Sequence, residues 1–262
     1  MKFNEFGNKE KPVIIMLSGS FVPGESMKNI YDILKKDFFI IVPDYNGHYE
    51  NSGTFTTRYN EAEEVKKFLI DNEIKKVDLI YGQSMGTEIG MELLSRLLKE
   101  KIEVNKAWFD GAPYIKLSYF YKKFMYFKFK TMINMFRNKS IDEVMNWKFL
   151  KQFAGDKIEE LRPMIESIML SAPYLTNESI KNEVECCYTF DFPKMSEEIQ
   201  KNICFFYGED EKAYKTCIKN VEKKYPKAKK IIKKDQGHLT YACEYTLEYI
   251  NLIKQFLNNE MI

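Results

Sequence analysis

Ser84 stands at the centre of Gly82-Gln83-Ser84-Met85-Gly86, between the apolar run Val77 to Tyr81 and a stretch in which Ile89, Leu93, Leu94 and Leu97 recur at helical spacing. A hydroxyl is a weak nucleophile until a neighbouring base takes its proton. A G-x-S-x-G turn from strand to helix exposes such a hydroxyl in strained backbone, provided nearby residues are small enough for strand and helix to approach. Gly82, Gly86 and Gly90 meet that need. The turn also sets Ser84 at the positive end of a helix, where the Met85 N–H can face a developing oxyanion. A base is the next requirement, and only His48 and His238 carry an imidazole. That scarcity argues against a metal site, because catalytic zinc usually draws on two or three histidines or cysteines. Five cysteines (Cys186, Cys187, Cys204, Cys217 and Cys243) lack C-x-x-C spacing and read as reduced thiols.

Distant residues need elements to bring them together. Lys2 to Phe6, Pro12 to Leu17, Phe38 to Val42, the run before Ser84, Val104 to Phe109, Asn202 to Tyr207 and Ala228 to Lys233 read as strands. Helical patterns lie between them, from Met27 to Leu34, Arg58 to Asn72, Ile89 onward and Lys212 to Tyr225, with Tyr241 to Leu257 as a closing helix. Strand, helix, strand in succession implies parallel crossovers, so the expected class is α/β, a mostly parallel central sheet flanked by helices. From Tyr114 to about Lys201 the alternation stops and an inserted helical segment is expected. In a parallel sheet the strand ends share one edge, so Ser84, the acidic run Gly208-Glu209-Asp210-Glu211 and the loop Asp235-Gln236-Gly237-His238 can meet there.

In this order of serine, acid and histidine, the chain resembles the α/β-hydrolase fold superfamily, from about Pro12 to the C-terminus. The resemblance implies a hydrolase core of residues 1–113 and 202–262, with 114–201 as a helical cap over the active site. It makes Ser84 the nucleophile and His238 its base, later the acid that protonates the leaving group. For the acid that orients His238, position after the strand-ending glycine selects Glu211, while residue type favours Asp210. Ser20 would supply a second oxyanion N–H beside that of Met85, and its neighbours Gly19 and Phe21 join the oxyanion and substrate-binding set. His48, in Asp44-Tyr45-Asn46-Gly47-His48, resembles a family turn that is structural more often than catalytic. Ser18 stands where related enzymes often have histidine, and Gln83 where histidine or glycine is frequent; neither change removes a catalytic group.

Around Tyr114 to Phe129 the chain is crowded with aromatics. Leu117, Phe120, Tyr121, Phe124 and Phe127 recur at helical spacing with Lys116, Lys122, Lys123 and Lys128 between them. Three readings stand: a helix face that packs the cap on the core, a wall of an apolar acyl pocket, or a basic amphipathic surface that meets lipid. The first two are compatible and favour a substrate with an apolar part. Forty basic against thirty-eight acidic residues give no overall pull toward nucleic acid. No signal-like or membrane-spanning run of about 18 apolar residues occurs, so a cytoplasmic protein without stable membrane insertion is expected. The expected reaction is hydrolysis of an ester or thioester with an apolar acyl group through an acyl-enzyme, with a small-molecule substrate and no cofactor. Acyl transfer, amide or carbon–carbon hydrolysis, and non-catalytic ligand binding remain open on the same fold.

Overall fold

The computed structural model describes residues 1–148, 159 and 161–260. Apolar runs form β1 (Lys2–Phe6), β2 (Val13–Leu17), β3 (Phe39–Asp44), β4 (Lys76–Gln83), β5 (Glu103–Asp110), β6 (Ile203–Gly208) and β7 (Lys229–Lys233). They pair in the order β1-β3-β2-β4-β5-β6-β7. Every pairing is parallel except β1 with β3. Strands covered on both faces must be apolar almost throughout, and β3 and β6 are buried at every residue. The edge strand β7, Lys-Lys-Ile-Ile-Lys, carries the charge that discourages pairing with a foreign strand.

The helices are α1 (Lys28–Leu34), α2 (Arg58–Asp71), α3 (Met85–Lys99), α4 (Tyr119–Phe136), α5 (Ile141–Met145), α6 (Arg162–Ser171), α7 (Asn177–Tyr188), α8 (Glu197–Gln200), α9 (Tyr214–Lys224), α10 (Thr240–Glu244) and α11 (Thr246–Leu257). Alternate residues of each strand point to opposite faces. Ile15 and Leu17 therefore pack with Val65, Leu69, Leu93 and Val221 of α2, α3 and α9. Ile14 and Met16 pack on the other face with Ile30, Leu34, Ile250 and Ile253 of α1 and α11. The expected closing helix from Tyr241 to Leu257 is in fact two, α10 and α11, broken at Tyr245 (φ −117°, ψ 42°). Thr246 causes a local competition: its hydroxyl donates to the carbonyls of Ala242 and Cys243, which the helix ladder would otherwise use.

Helices α4 to α8 lie between β5 and β6, and the first four share a third apolar cluster that includes Ile133, Phe136, Val144, Ile168, Ile180 and Val184, with Phe21 contributed by the loop after β2. A lone antiparallel bridge between Lys116 and Thr189 ties the two chain crossings of this segment together. Here one expectation fails. Phe120, Tyr121, Phe124 and Phe127, expected to pack the segment down, are 81%, 66%, 63% and 51% exposed. The inward face of α4 is Met125, Phe129, Ile133 and Phe136 instead. Both faces of the helix are apolar, so spacing could not tell which would be covered.

Candidate active site

The strand pairings bring Gln83 opposite Asp110 and Asp110 opposite Phe206, so the ends of β4, β5 and β6 lie level. Ser84 closes β4 and starts α3 with φ 49° and ψ −121°. For a non-glycine residue that geometry costs about 1–3 kcal/mol, which its surroundings must hold. The Ser84 N–H donates to the Asp110 carbonyl at 2.8 Å, and the Ser84 carbonyl accepts from the Thr87 N–H at 2.9 Å and the Thr87 hydroxyl at 2.6 Å. Gly86 lets the turn pass β2: a Cβ there would lie 2.2 Å from the Leu17 carbonyl oxygen. The loop after β2 crosses over the serine, with the Cβ position of Gly19 only 3.3 Å from Ser84 Cβ. The N–H groups of Met85, which follows the serine, and Ser20, on the crossing loop, make no hydrogen bond among the described residues. Two backbone donors near the serine are thus left without a partner among the described residues, and one of them, Met85, is the first residue of α3.

His238 lies in the loop after β7, between two residues with positive φ, Asp235 (54°) and Leu239 (61°). Its ring rests on Gly111 (φ 63°), where a Cβ would come 2.5 Å from His238 Cε1. Gly111 follows Asp110, the residue that holds the Ser84 N–H. His238 Nδ1 is 2.8 Å from Glu211 Oε2. Glu211 is itself fixed, its Oε1 accepting from the Gly208 N–H at 2.7 Å. A carboxylate on Nδ1 selects the tautomer with Nδ1–H donating, which leaves Nε2 as the acceptor. Partial desolvation where the ring packs on Gly111 opposes the imidazolium, but the hydrogen bond and charge of Glu211, with a smaller effect of Asp110, raise the His238 pKa above the usual histidine value. Asp210 is exposed and its N–H donates to the Gln236 carbonyl, so of the two acidic candidates the structure brings Glu211 to the imidazole. Among the described residues neither Ser84 Oγ nor His238 Nε2 makes a hydrogen bond. Such links often tighten only when substrate is bound.

Phe21 differs from expectation. Its N–H donates to Glu183 Oε2 at 2.7 Å, so it is no oxyanion donor. Its buried ring, 5.0 Å from that of Phe129, joins the crossing loop to α4. Glu183 of α7 also holds His48 Nε2 at 2.9 Å, and His48 Nδ1 lies 3.0 Å from the Val22 carbonyl oxygen. Sequence reasoning passed over Glu183. The available signal was an acid on the apolar stripe Ile180, Val184, Cys187. Two other buried acids border the site. Burial pushes Asp110 up to about 7; its Oδ2 accepts from the Tyr249 hydroxyl at 2.6 Å, while Oδ1 has no partner among the described residues. Glu88, one helical turn after Ser84, is held far above the usual carboxylate range by burial. Burial likewise keeps Cys186 and Cys187 protonated, although Cys187 Sγ lies 3.2 Å from Ser20 Oγ. Among the described residues no cluster of three or more His, Cys, Asp or Glu could hold a metal ion.

No protein-family model matches the sequence, and no curated protein matches it either. Solved structures do match in shape. A protein assigned to the α/β hydrolase family from Desulfitobacterium hafniense superposes with a TM-score of 0.72 at 16% identity, over 98% of this chain and 100% of that one. A bromoperoxidase from Bacillus anthracis gives 0.71 at 18% identity, over 98% and 94%. A thermophilic esterase from Thermogutta terrifontis gives 0.66 at 15% identity, over 98% and 93%. With the seven-stranded sheet described above, these likenesses show that the chain has the α/β-hydrolase fold.

Proposed function

We propose, from the α/β-hydrolase fold and the site at its strand ends, that the protein is a serine hydrolase acting on an ester or thioester with an apolar acyl group. The observation that supports this reading is a strained serine at a helix N-terminus, its N–H held by the Asp110 carbonyl, next to Gly111, against which lies an imidazole whose Nδ1 is held by a fixed carboxylate. Ser84 Oγ gives its proton to His238 Nε2 as it attacks the carbonyl carbon. Glu211 stabilises the imidazolium that results. The oxyanion accepts from the N–H groups of Met85 and Ser20, with Gly19 keeping the space above Ser84 open. His238 then protonates the leaving group, and a water molecule activated by the same imidazole releases the acid from Ser84. Every step uses side chains and backbone of this chain alone. Helices α4 to α7 act as the cap, and the ring of Phe129 on the inward face of α4, with that of Phe21 on the crossing loop, supplies apolar contact for an acyl chain. The esterase among the fold neighbours is consistent with this substrate class.

Initial rates over p-nitrophenyl esters of increasing acyl length, with Ser84→Ala as control, test the proposal. Hydrolysis that disappears in Ser84→Ala and peaks at a defined chain length supports it. Equal inactivity of both proteins across the series, together with failure of a fluorophosphonate to label Ser84, overturns it.

A further inference from the structure

We propose that the outer face of α4 is a docking surface for anionic lipid, which seats the protein on a bilayer with its helical insertion toward the membrane. The first observation is exposure. Tyr119, Phe120, Tyr121, Phe124 and Phe127 are each more than half exposed, at 68%, 81%, 66%, 63% and 51%. The opposite face of the same helix packs inward through Met125, Phe129, Ile133 and Phe136. A helix apolar on every side normally has every side covered, and five adjacent rings in water are an unusual cost for a protein surface.

The second observation is charge. Between Asp110 and Asp142 there is no acidic residue, while Lys116, Lys122, Lys123, Lys128, Lys130, Arg137 and Lys139 all fall there. The whole chain carries only +2, so the remainder is net acidic; a second basic run, Lys212 to Lys234, has no exposed ring in it, and only around α4 do unopposed charge and exposed rings coincide. Lys116 and Lys122 are paired with Asp191 and Glu185. Lys123, Lys128 and Lys130 make no ion pair among the described residues, and the ammonium groups of Lys128 and Lys130 lie over the rings of Phe129 and Tyr126. The N-terminal turn of α4 holds no acid, so its positive dipole end adds to the field.

Together these select the occupant. A second copy of the same face would set lysines against lysines, whereas an anionic bilayer offers phosphates to the lysines and the acyl boundary to the rings. Binding would be peripheral, since among the described residues no helix is long and apolar enough to cross a membrane. The inference goes beyond the hydrolytic reading and does not depend on it, although Phe129, on the inner face, touches Phe21 of the loop that crosses Ser84.

The test is co-sedimentation of the full chain with vesicles of phosphatidylcholine and phosphatidylserine, against phosphatidylcholine alone, at low and high salt. Wild type is expected to pellet with the anionic vesicles and to be released by salt. Each basic residue near such a surface is worth roughly fivefold in affinity, so Lys123→Glu/Lys128→Glu should weaken binding by at least about 20-fold. Phe120→Ser/Phe124→Ser should weaken it similarly, with melting temperature and hydrolysis of a short ester unchanged in both variants. Absence of wild-type binding to anionic vesicles overturns the proposal, as does equal binding to both lipids that ignores the lysine reversals. A concentration-dependent dimer in lipid-free buffer, abolished by Phe120→Ser/Phe124→Ser, also overturns it and assigns the face to a second copy. Since binding is read without catalysis, failure of the ester assay leaves this result intact.

Discussion

The two histidines of this chain each sit beside a glutamate, His48 with Glu183 at 2.9 Å and His238 with Glu211 at 2.8 Å, yet the two pairs differ in what they leave unsatisfied. His48 and Glu183 are both 0% exposed. Both ring nitrogens of His48 are occupied, by Glu183 and by the Val22 carbonyl, and the second oxygen of Glu183 takes the Phe21 N–H. Nothing remains to exchange a proton with a ligand, and the pair works as a clamp joining α7 to two loops of the sheet. The His238 side chain is 45% exposed with Glu211 at 8%, and its Nε2 has no hydrogen-bond partner among the described residues. An imidazole with one nitrogen fixed and one nitrogen open can act as a base. Residue type and partner are the same; the count of satisfied nitrogens separates structure from chemistry.

Substitutions can break that comparison. The largest expected effect is His238→Ala, which should cut ester hydrolysis roughly 10³- to 10⁴-fold with little change in thermal unfolding, since the proposed role of the lost group is catalytic. His48→Ala should do the reverse. It strands Glu183 in the interior, and removing one partner of a buried pair costs about 3–5 kcal/mol, measurable as a lower urea midpoint. The folded fraction should still react with a fluorophosphonate at Ser84. Glu211→Gln should lower kcat by about 10³-fold, whereas Asp210→Asn should stay within about twofold; equal losses would show that the carboxylate at His238 is not the one that matters.

The smallest effects concern pH. The pKa of each histidine is raised above the usual 6.5, for His48 because Glu183 outweighs a burial that favours the neutral ring. A raised histidine pKa favours the fold when the ring is protonated. The stability of the His48–Glu183 pair should thus be fully present below about pH 6.5 and decline as pH rises through the raised value, narrowing the gap between wild type and Glu183→Gln in urea titrations. Under the proposed mechanism His238 runs the other way, because there the neutral ring is the base. Hydrolysis should rise with pH through a midpoint above 6.5, and Asp110→Asn, by removing one charge that raises it, should move that midpoint downward.

Much of the site was legible because its parts obey local rules. The Gly-x-Ser-x-Gly turn, the glycine-ended strand before Glu211 and the Gly237-His238 loop lie where strand ends can be read from apolar runs. Glu211 against Asp210 was not decided there, since one residue in a turn sends a side chain to the imidazole or to solvent. That the Phe21 N–H is already taken was not legible because its partner, Glu183, is 162 residues away. The faces of α4 were left undecided for a different reason: with eight rings among its 18 residues, on both faces, periodicity selected neither.

By itself the sequence determined the parallel sheet, the turn at Ser84 and the poverty in imidazole, because alternation of apolar runs, glycines at a tight turn and residue counts are local or additive. Only the tertiary structure decided which carboxylate reaches His238, which histidine is locked, which backbone donors stay free and which face of α4 meets water. Each of those depends on a contact between segments far apart in the chain, where a partner's position, not its type, sets whether a polar group is satisfied or available.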